Sequence, residues 1–519
     1  MITGPVTTQG EALPEDAESL RALVLRLLAE RDELADDLER AHRIIRQLQR
    51  ARFGRRSEKL DADQLQLILE ERQIEAVRDT VTAEKSGKAP RSKEPGKRKS
   101  LPAHLPRIEV VLEPETTCCP CCHGVMHVIG EEKSERLDVI PAQFRILVTR
   151  RPKYACRACV EAIVQAPAAE RLIRAGLPTE ALVAHVLVSK YAWHLPLYRQ
   201  AQIMLAQGIE IDRSVLAFWV GYAGVELMPL WRRMREILLG SARLFVDETW
   251  APVLDPGRGQ TKKGYFWSIA RDDRAWGGIG PPGIVYTYAP GRGGEHAAAL
   301  LEGYSGIVQC DGYAAYKQLA DPGRKGGAVV LAFCWSHWRR QFYEIAEDGP
   351  APIAEEMLRR IASLYAIEAQ IRGRSAEERR SIRQRESKPL VEALRRWLEV
   401  QLARLAPKSD TAGVIRYGFN HWEGLIRFLE DGRIEIDTNV VERSMRPIGL
   451  SRRNALFAGH DTGAANWACI ASLVETCKLN RVDPQAYLTG VLTRLVNLWP
   501  ASRIDELMPW AWAPVRDAA

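Results

Sequence analysis

The chain lacks any run of about 18 apolar residues, so its composition offers no helical membrane span. Its opening stretch, MITGPVTTQGEALPEDAESL, lacks the basic segment followed by an apolar core that marks a secretory signal, and a cytoplasmic location is expected. In that compartment the ten cysteines are thiols or metal ligands before they are disulfides. A large charge of one sign is missing as well. Against 66 Asp and Glu stand 73 Lys and Arg, and the net +7 is too small to establish nucleic-acid binding alone. What the chain does have is length: 519 residues exceed the size at which single cores stop growing, roughly 250–300 residues, so several domains are expected.

The basic residues are clustered. Residues 41–59, AHRIIRQLQRARFGRRSEK, carry seven Arg and Lys against Glu58 alone, and EKSGKAPRSKEPGKRKS at 84–100 has the Pro, Gly and Ser content of a linker. Both are solvated faces or tethers in the plainest reading, and both could neutralise DNA phosphates. Leu20, Val24, Leu27, Leu34, Leu38, Ala41, Ile45 and Leu48 follow heptad spacing, interrupted by Arg31, and predict a coiled coil of about four heptads. A second copy of the chain is the simplest partner for that seam; an antiparallel hairpin with residues 65–74 is the alternative.

Two CxxC pairs, Cys119 with Cys122 and Cys156 with Cys159, sit among extended segments and predict a zinc ribbon, because four thiolates suit one tetrahedral ion. Cys118 with Cys121 offers a second register, and redox-active thiols are the competing reading. Residues 196–221 read as helix, a turn near Gly208 and a second helix beginning near Asp212 to Ser214, the outline of a helix-turn-helix. Tyr191, Trp193, Tyr198, Phe218 and Trp219 are expected in its core. From 243 the pattern becomes strand, strand, strand, helix, strand, an α/β order. Residues 351–430 are helical and charge-rich, like an insertion, and ELMPWAWAPV forms an appended tail.

Asp247 follows the apolar LFV of the first of these strands and Asp311 follows GIVQC of the fourth. A charge beside a buried strand is costly unless it is paired, solvated or bound to metal. Glu442 lies amid Arg443, Arg446, Arg452 and Arg453; read alone it is a capping box with Asn439, in a helix soon limited by Pro447. Together, three carboxylates could hold two Mg²⁺ ions for phosphoryl transfer.

The chain resembles the bacterial insertion-sequence transposases of family sixty-six, large-subunit type, over nearly its whole length. The resemblance rests on RFGRRSEKL, LPAHLPR, CPCC, RPKYACRAC, KYAWHLPLYRQ, VDET, YAPGRGGEH, CDGYAAY, CWSHWRRQF and IDTNVVERSMRPIGLSRRNALFAGHDTG, in family order. It implies a multidomain α+β protein: coiled coil 1–82, basic linker 83–107, zinc ribbon 108–165, helical DNA-binding domain 166–240, a ribonuclease-H-like α/β core at 241–350 and 431–498 interrupted by the helical insertion 351–430, and a tail 499–519. It implies Asp247, Asp311 and Glu442 as a catalytic DDE triad binding two Mg²⁺, with adjacent Glu248 a weaker substitute for Asp247, and one structural Zn²⁺ on the cysteines. His337, Arg339, Arg340 and the four arginines after Glu442 are expected at DNA. Cys334 and His337 form a Cys-x-x-His signature, and a second zinc there is set aside because only two ligands are present. Thr438 stands where the family pattern has asparagine. The implied partners are double-stranded DNA, as terminal inverted repeats and target, a second copy through the coiled coil, and small companion proteins of the same element, at the bacterial nucleoid and without a membrane. A nuclease or resolvase on the same fold, or a non-catalytic DNA-binding regulator, are the rival readings.

Overall fold

The computed structural model describes residues 143–155, 163–173, 176–347 and 349–513. The expected coiled coil, the basic linker and the six cysteines of the ribbon lie outside the described residues. Just flanking the second cysteine pair, β1 (Lys153–Ala155) and β2 (Ile163–Gln165) run antiparallel, Tyr154 opposite Val164, so the chain reverses between them.

The centre of the fold is a mixed five-stranded sheet. Its strands are β3 (Arg243–Asp255), β4 (Gln260–Arg271), β5 (Gly283–Ala289), β6 (Ile307–Cys310) and β7 (Val330–Phe333), in the spatial order β5-β4-β3-β6-β7. The first three form an antiparallel meander, while β6 runs parallel to β3 and β7 parallel to β6. Parallel neighbours need crossovers, and two short helices supply them: α4 (Gly294–Leu300) before β6 and α5 (Ala314–Lys317) after it. Four strands and the first crossover follow the sequence reading. The strand β7 was not among those expected, although GAVVLAFC is a short apolar run of the kind that buried strands use.

Helices α1 (Glu180–Tyr191), α2 (Leu197–Ala206), α3 (Arg213–Leu239), α13 (Asp461–Leu479) and α14 (Pro484–Val496) surround the meander. Leu187, Leu227, Leu230, Phe245, Ile269, Val285, Trp467, Leu473 and Leu488 belong to one continuous apolar core. Helix α13 also closes the open edge of β5. Ser472 Oγ accepts from Tyr286 N at 2.8 Å, and Thr476 Oγ1 accepts from Ile284 N at 3.1 Å and donates to Ile284 O at 3.0 Å. Buried hydroxyls thus take the place of a sixth strand and satisfy backbone groups that burial would otherwise leave unpaired.

The insertion builds a second core. Helices α7 (Pro352–Ile371), α8 (Ala376–Ile382), α9 (Lys388–Arg404), α10 (Asp410–Asn420) and α11 (Trp422–Ile426) pack Met357, Ile361, Leu364, Leu394, Leu398, Ile415 and Phe428 around Trp335, Trp338 and Phe342 of α6 (Trp335–Glu347). A turn of π-helix, Arg383–Ser387, joins α8 to α9 and turns Arg383 inward, where Glu368 receives it at 2.6 and 2.7 Å.

The helix-turn-helix outline is present: α2 ends, Gly208 adopts φ +78°, and Asp212 Oδ1 caps α3 by accepting from Ser214 N at 2.7 Å. Its aromatics correct the expectation of a common core. Tyr191 and Trp219 are buried, but Trp193, Tyr198 and Phe218 are exposed, because neighbours such as Phe218 and Trp219 lie about 100° apart around a helix and cannot share a face. Helix α3 is the one helix among the described residues long and apolar enough to cross a membrane by length and composition, with mean hydropathy 1.2; its Leu216, Leu227, Leu230, Met234 and Leu238 are core residues here. The tail folds back onto the first core. Tyr487 Oη donates to Leu507 O at 2.8 Å, Met508 is buried, and Trp510 lies under the Arg271 guanidinium.

Candidate active site

The register of β3 against β6 pairs Arg243 with Ile307 and Phe245 with Gln309. Continued by two residues, it sets Asp247 beside Asp311, the first residue beyond β6, on strands about 4.7–4.9 Å apart. Burial pushes the Asp247 carboxyl well above the usual carboxylate range, and the charges of Glu248, Asp311 and Glu442 push it further, against an opposing effect of His337. The loop after Asp311 is held from both ends. Asp311 Oδ1 accepts from Tyr313 N at 2.8 Å, and Tyr417 Oη of α10 donates to Asp311 O at 3.0 Å. Gly312 adopts φ +89°, and a Cβ there would come within 3.0 Å of His421, so the DGY turn admits only glycine without strain.

Helix α12 (Asn439–Asn454) covers the face of the sheet to which Asp247 points. Asp247 lies opposite Ser268 in the β3–β4 ladder, and directly paired residues share a face. Ser268 Oγ is 3.3 Å from Ser444 Oγ, and Tyr286 Oη donates to Ser444 O at 2.5 Å. Glu442, two residues earlier on α12, is thereby carried toward the strand acids.

The capping box does not form. Thr438 is the residue before the helix, and its Oγ1 donates to Glu442 Oε1 at 2.8 Å, while Asn439 Nδ2 donates to Asp437 Oδ2 at 3.0 Å. Nor does Pro447 limit the helix, which continues to Asn454 with the proline inside; seven residues of helix follow it, and the cost is one missing N–H rung. Thr438, noted above as a departure from the family pattern, is thus a direct hydrogen-bond partner of the acid. Its own N donates to Cys334 Sγ at 3.3 Å.

Helix α6 and Cys334, the residue just before it, supply further surroundings. The Cys334 thiol is 3.7 Å from Glu442 Oε1, His337 Nδ1 is 3.4 Å from the same oxygen, and an Arg340 nitrogen is 3.7 Å from Oε2. Cys334, His337 and Glu442 are the group among the described residues whose metal-ligand atoms all lie within 4.8 Å of one another. The count of two ligands in the sequence reading is therefore corrected to three, because α12 adds Glu442 from across the fold. Burial raises the Asp437 carboxyl to about 7, and burial followed by Glu442 raises the Cys334 thiol well above its ordinary value.

Glu248, the neighbour of Asp247, faces the other side of the sheet, as strand alternation requires. Its Oε1 accepts from Arg292 Nε at 2.7 Å, its Oε2 bonds the Tyr316 hydroxyl, and its side chain is buried. Among the residues expected at DNA, His337 and Arg340 converge on Glu442. Arg452 donates to Trp250 O at 2.8 Å and stacks 4.4 Å from that ring, Arg339 lies 5.9 Å from the Tyr343 ring, Arg446 is half-buried, and Arg443 and Arg453 are exposed. Sequence reasoning missed Ser268, Tyr286, Ser444 and Asp437. Only Asp437 carried a signal, in the acid just before the helix of Glu442.

Four segments match known families. Residues 175–466 match the Transposase IS66 family, 472–510 the IS66 C-terminal element, 116–160 the zinc-finger binding domain of transposase IS66, and 40–110 the family described as Transposase C of IS166 homeodomain. Among individual proteins, the chain is 42% identical over 536 residues to uncharacterized protein y4qI of Sinorhizobium fredii (strain NBRC 101917 / NGR234), covering 97% of this chain and 98% of that one. It is 40% identical to uncharacterized protein y4jD of the same strain, covering 97% of each.

Proposed function

Because the chain belongs to the IS66 transposase family, and with it to the DNA transposases carrying a zinc-finger domain, we propose that it cuts DNA at the ends of its insertion sequence and joins the freed 3′ ends to target DNA. In this reading the mixed sheet is a ribonuclease-H-like core and Asp247, Asp311 and Glu442 are its DDE triad. The observation that carries the reading is the parallel register that aligns Asp247 with Asp311 beneath the helix of Glu442.

Two Mg²⁺ ions suit this donor set, since hard carboxylate oxygens are what the ion takes and Asp247 is crowded by like charge that a divalent cation relieves. When bound, they would lower the pKa of a water and offset charge on the leaving oxygen. The protein's own part is positional. Asp247 and Asp311 face the scissile phosphodiester from the sheet, and Glu442 closes the site from above, steadied by Thr438, His337 and Arg340. Arg443 and Arg453 hold phosphates on either side of the cut; Arg339, Arg446 and Arg452 extend that track. Hydrolysis breaks the P–O3′ bond and leaves a 3′ hydroxyl and a 5′ phosphate. That hydroxyl then forms a bond to a target phosphorus as the target's own 3′ oxygen departs and takes up the proton.

The zinc ribbon, with one Zn²⁺ on Cys119, Cys122, Cys156 and Cys159, and the α2–α3 pair would recognise the terminal repeats, with the coiled coil holding two copies together and small companion proteins joining at the nucleoid. Asp311→Asn tests the proposal: it should abolish cleavage and strand transfer while repeat binding in a gel-shift assay stays within about twofold of wild type. Undiminished transposition by this variant would leave only a DNA-binding regulator, and cleavage without joined product by the wild type would leave a nuclease.

A further inference from the structure

In the function proposed above Glu442 belongs to two donor sets. Toward the sheet it joins Asp247 and Asp311, all hard oxygen donors. Toward α6 it completes a thiol, an imidazole and a carboxylate, which is a different chemistry. Thiolate and imidazole nitrogen select borderline and soft ions over Mg²⁺. The spacing fits such an ion. Tetrahedral zinc bonded at about 2.3 Å to sulfur and about 2.0–2.1 Å to nitrogen and oxygen sets sulfur and oxygen about 3.5 Å apart and nitrogen and oxygen about 3.3 Å apart. The chain holds Cys334 Sγ and Glu442 Oε1 at 3.7 Å, and His337 Nδ1 and Glu442 Oε1 at 3.4 Å.

The three donors are also pre-organised. Cys334 is fixed by Thr438 N, and Glu442 Oε1 is turned toward Cys334 and His337 while Oε2 faces Arg340. Cys334 immediately precedes α6 and His337 lies in its first turn, and both ligand atoms come within 4.8 Å of each other and of Glu442. The His337 imidazole is 25% exposed, while its Nδ1, on the side of Glu442, is buried without a hydrogen-bond partner, as an unused ligand atom would be.

We propose that Cys334, His337 and Glu442 form a site for a divalent ion of the zinc class, and that its occupation withdraws Glu442 from Asp247 and Asp311 and so switches cleavage off. Binding forms a sulfur–metal bond and releases the Cys334 thiol proton to solvent. The switching half of the proposal rests on the role given to Glu442 above; the ion site itself does not.

The test uses the full chain, stripped of metal and dialysed against Zn²⁺, with bound zinc counted per chain. Wild type should hold one more ion than Cys334→Ser and than His337→Gln. A Cys119→Ser/Cys122→Ser variant should lose a different ion, leaving the one that depends on Cys334. His337→Gln alters a partly exposed side chain, less buried than Cys334, so it answers the question should Cys334→Ser fail to fold. Zinc counts and affinities unchanged in both variants would overturn the site. In cleavage reactions run in Mg²⁺, Zn²⁺ should inhibit wild type at concentrations more than about tenfold below those needed for His337→Gln. Equal inhibition of the two would overturn the switch. A wild type that cleaves nothing in Mg²⁺ would count against the transposase mechanism, and the zinc count would still decide the site.

Discussion

Asp247 and Glu442 are held by different kinds of support. The sheet acids are set by the main chain: β3 is bonded on one side to β4 from Phe245 to Asp255 and on the other to β6, so the place of Asp247 beside Asp311 follows from register. Glu442 is set by side chains. Thr438, Cys334, His337 and Arg340 touch its two oxygens; two of the four lie in α6 and Cys334 immediately precedes it, and the tryptophans of that helix belong to the core of the insertion. One half of the site is therefore as rigid as a strand ladder, and the other depends on how the insertion packs. The two halves are joined by buried polar groups. Gln309 of β6 exchanges hydrogen bonds with the backbone of Glu435, Glu435 Oε1 accepts from Arg379 at 2.7 Å, and Arg379 and Arg383 share Glu368.

The largest effect on stability should come from breaking that joint. Glu368→Ala leaves two buried guanidinium groups without their shared carboxylate and should cost about 3–5 kcal/mol in a denaturant titration. Cleavage should fall with it, because Glu442 loses its seat, whereas binding to the repeats should persist in whatever fraction remains folded.

Asp247→Asn separates the halves by pH. The folded-state pKa of Asp247 lies above its unfolded value of about 3.9, so the native state holds this proton more tightly than the unfolded chain does. The stability this supplies is complete below the unfolded pKa and disappears as pH rises through the folded one. In magnesium-free buffer at pH 7 the variant should accordingly melt at a higher temperature than wild type, with the difference shrinking toward pH 4. Melting temperatures measured across that range check it, and a variant that melts lower at pH 7 would mean that the Asp247 charge is already compensated.

A smaller effect belongs to Thr438. Thr438→Val removes a hydroxyl that donates to a carboxylate, a bond worth about 1.5–3 kcal/mol. If its part is to orient Glu442, cleavage should drop with unchanged DNA affinity and Thr438→Ser should restore it; a stability loss without a cleavage loss would make it purely structural. Smallest of all, Thr476→Val should cost about 1 kcal/mol at the β5 edge and leave the site untouched.

The same contrast explains what could be read in advance. An acid directly after the apolar run of a strand is a local feature, and Asp247 and Asp311 stood out for that reason; so did the helices of the insertion and the helix of Glu442. What stayed hidden was everything that depends on one helix meeting another. The convergence of Cys334 and His337 on Glu442 needs α6 and α12 brought together by the fold, and Thr438 looked like a missing asparagine because its hydroxyl acts on a residue one turn away. Trp193, Tyr198 and Phe218 were placed in a core by composition, but which face of a helix is covered is a property of its neighbours. Serines 268, 444 and 472 carried no signal at all, since a hydroxyl that completes a buried pairing looks in sequence like any other serine.

The most direct measurement is anomalous scattering from Mn²⁺ in crystals of the full chain bound to its terminal-repeat DNA. Two ions held by Asp247, Asp311 and Glu442 are the result this account expects. Ions bound without Glu442, or a Glu442 carboxylate beyond coordinating reach in the DNA complex, would contradict it.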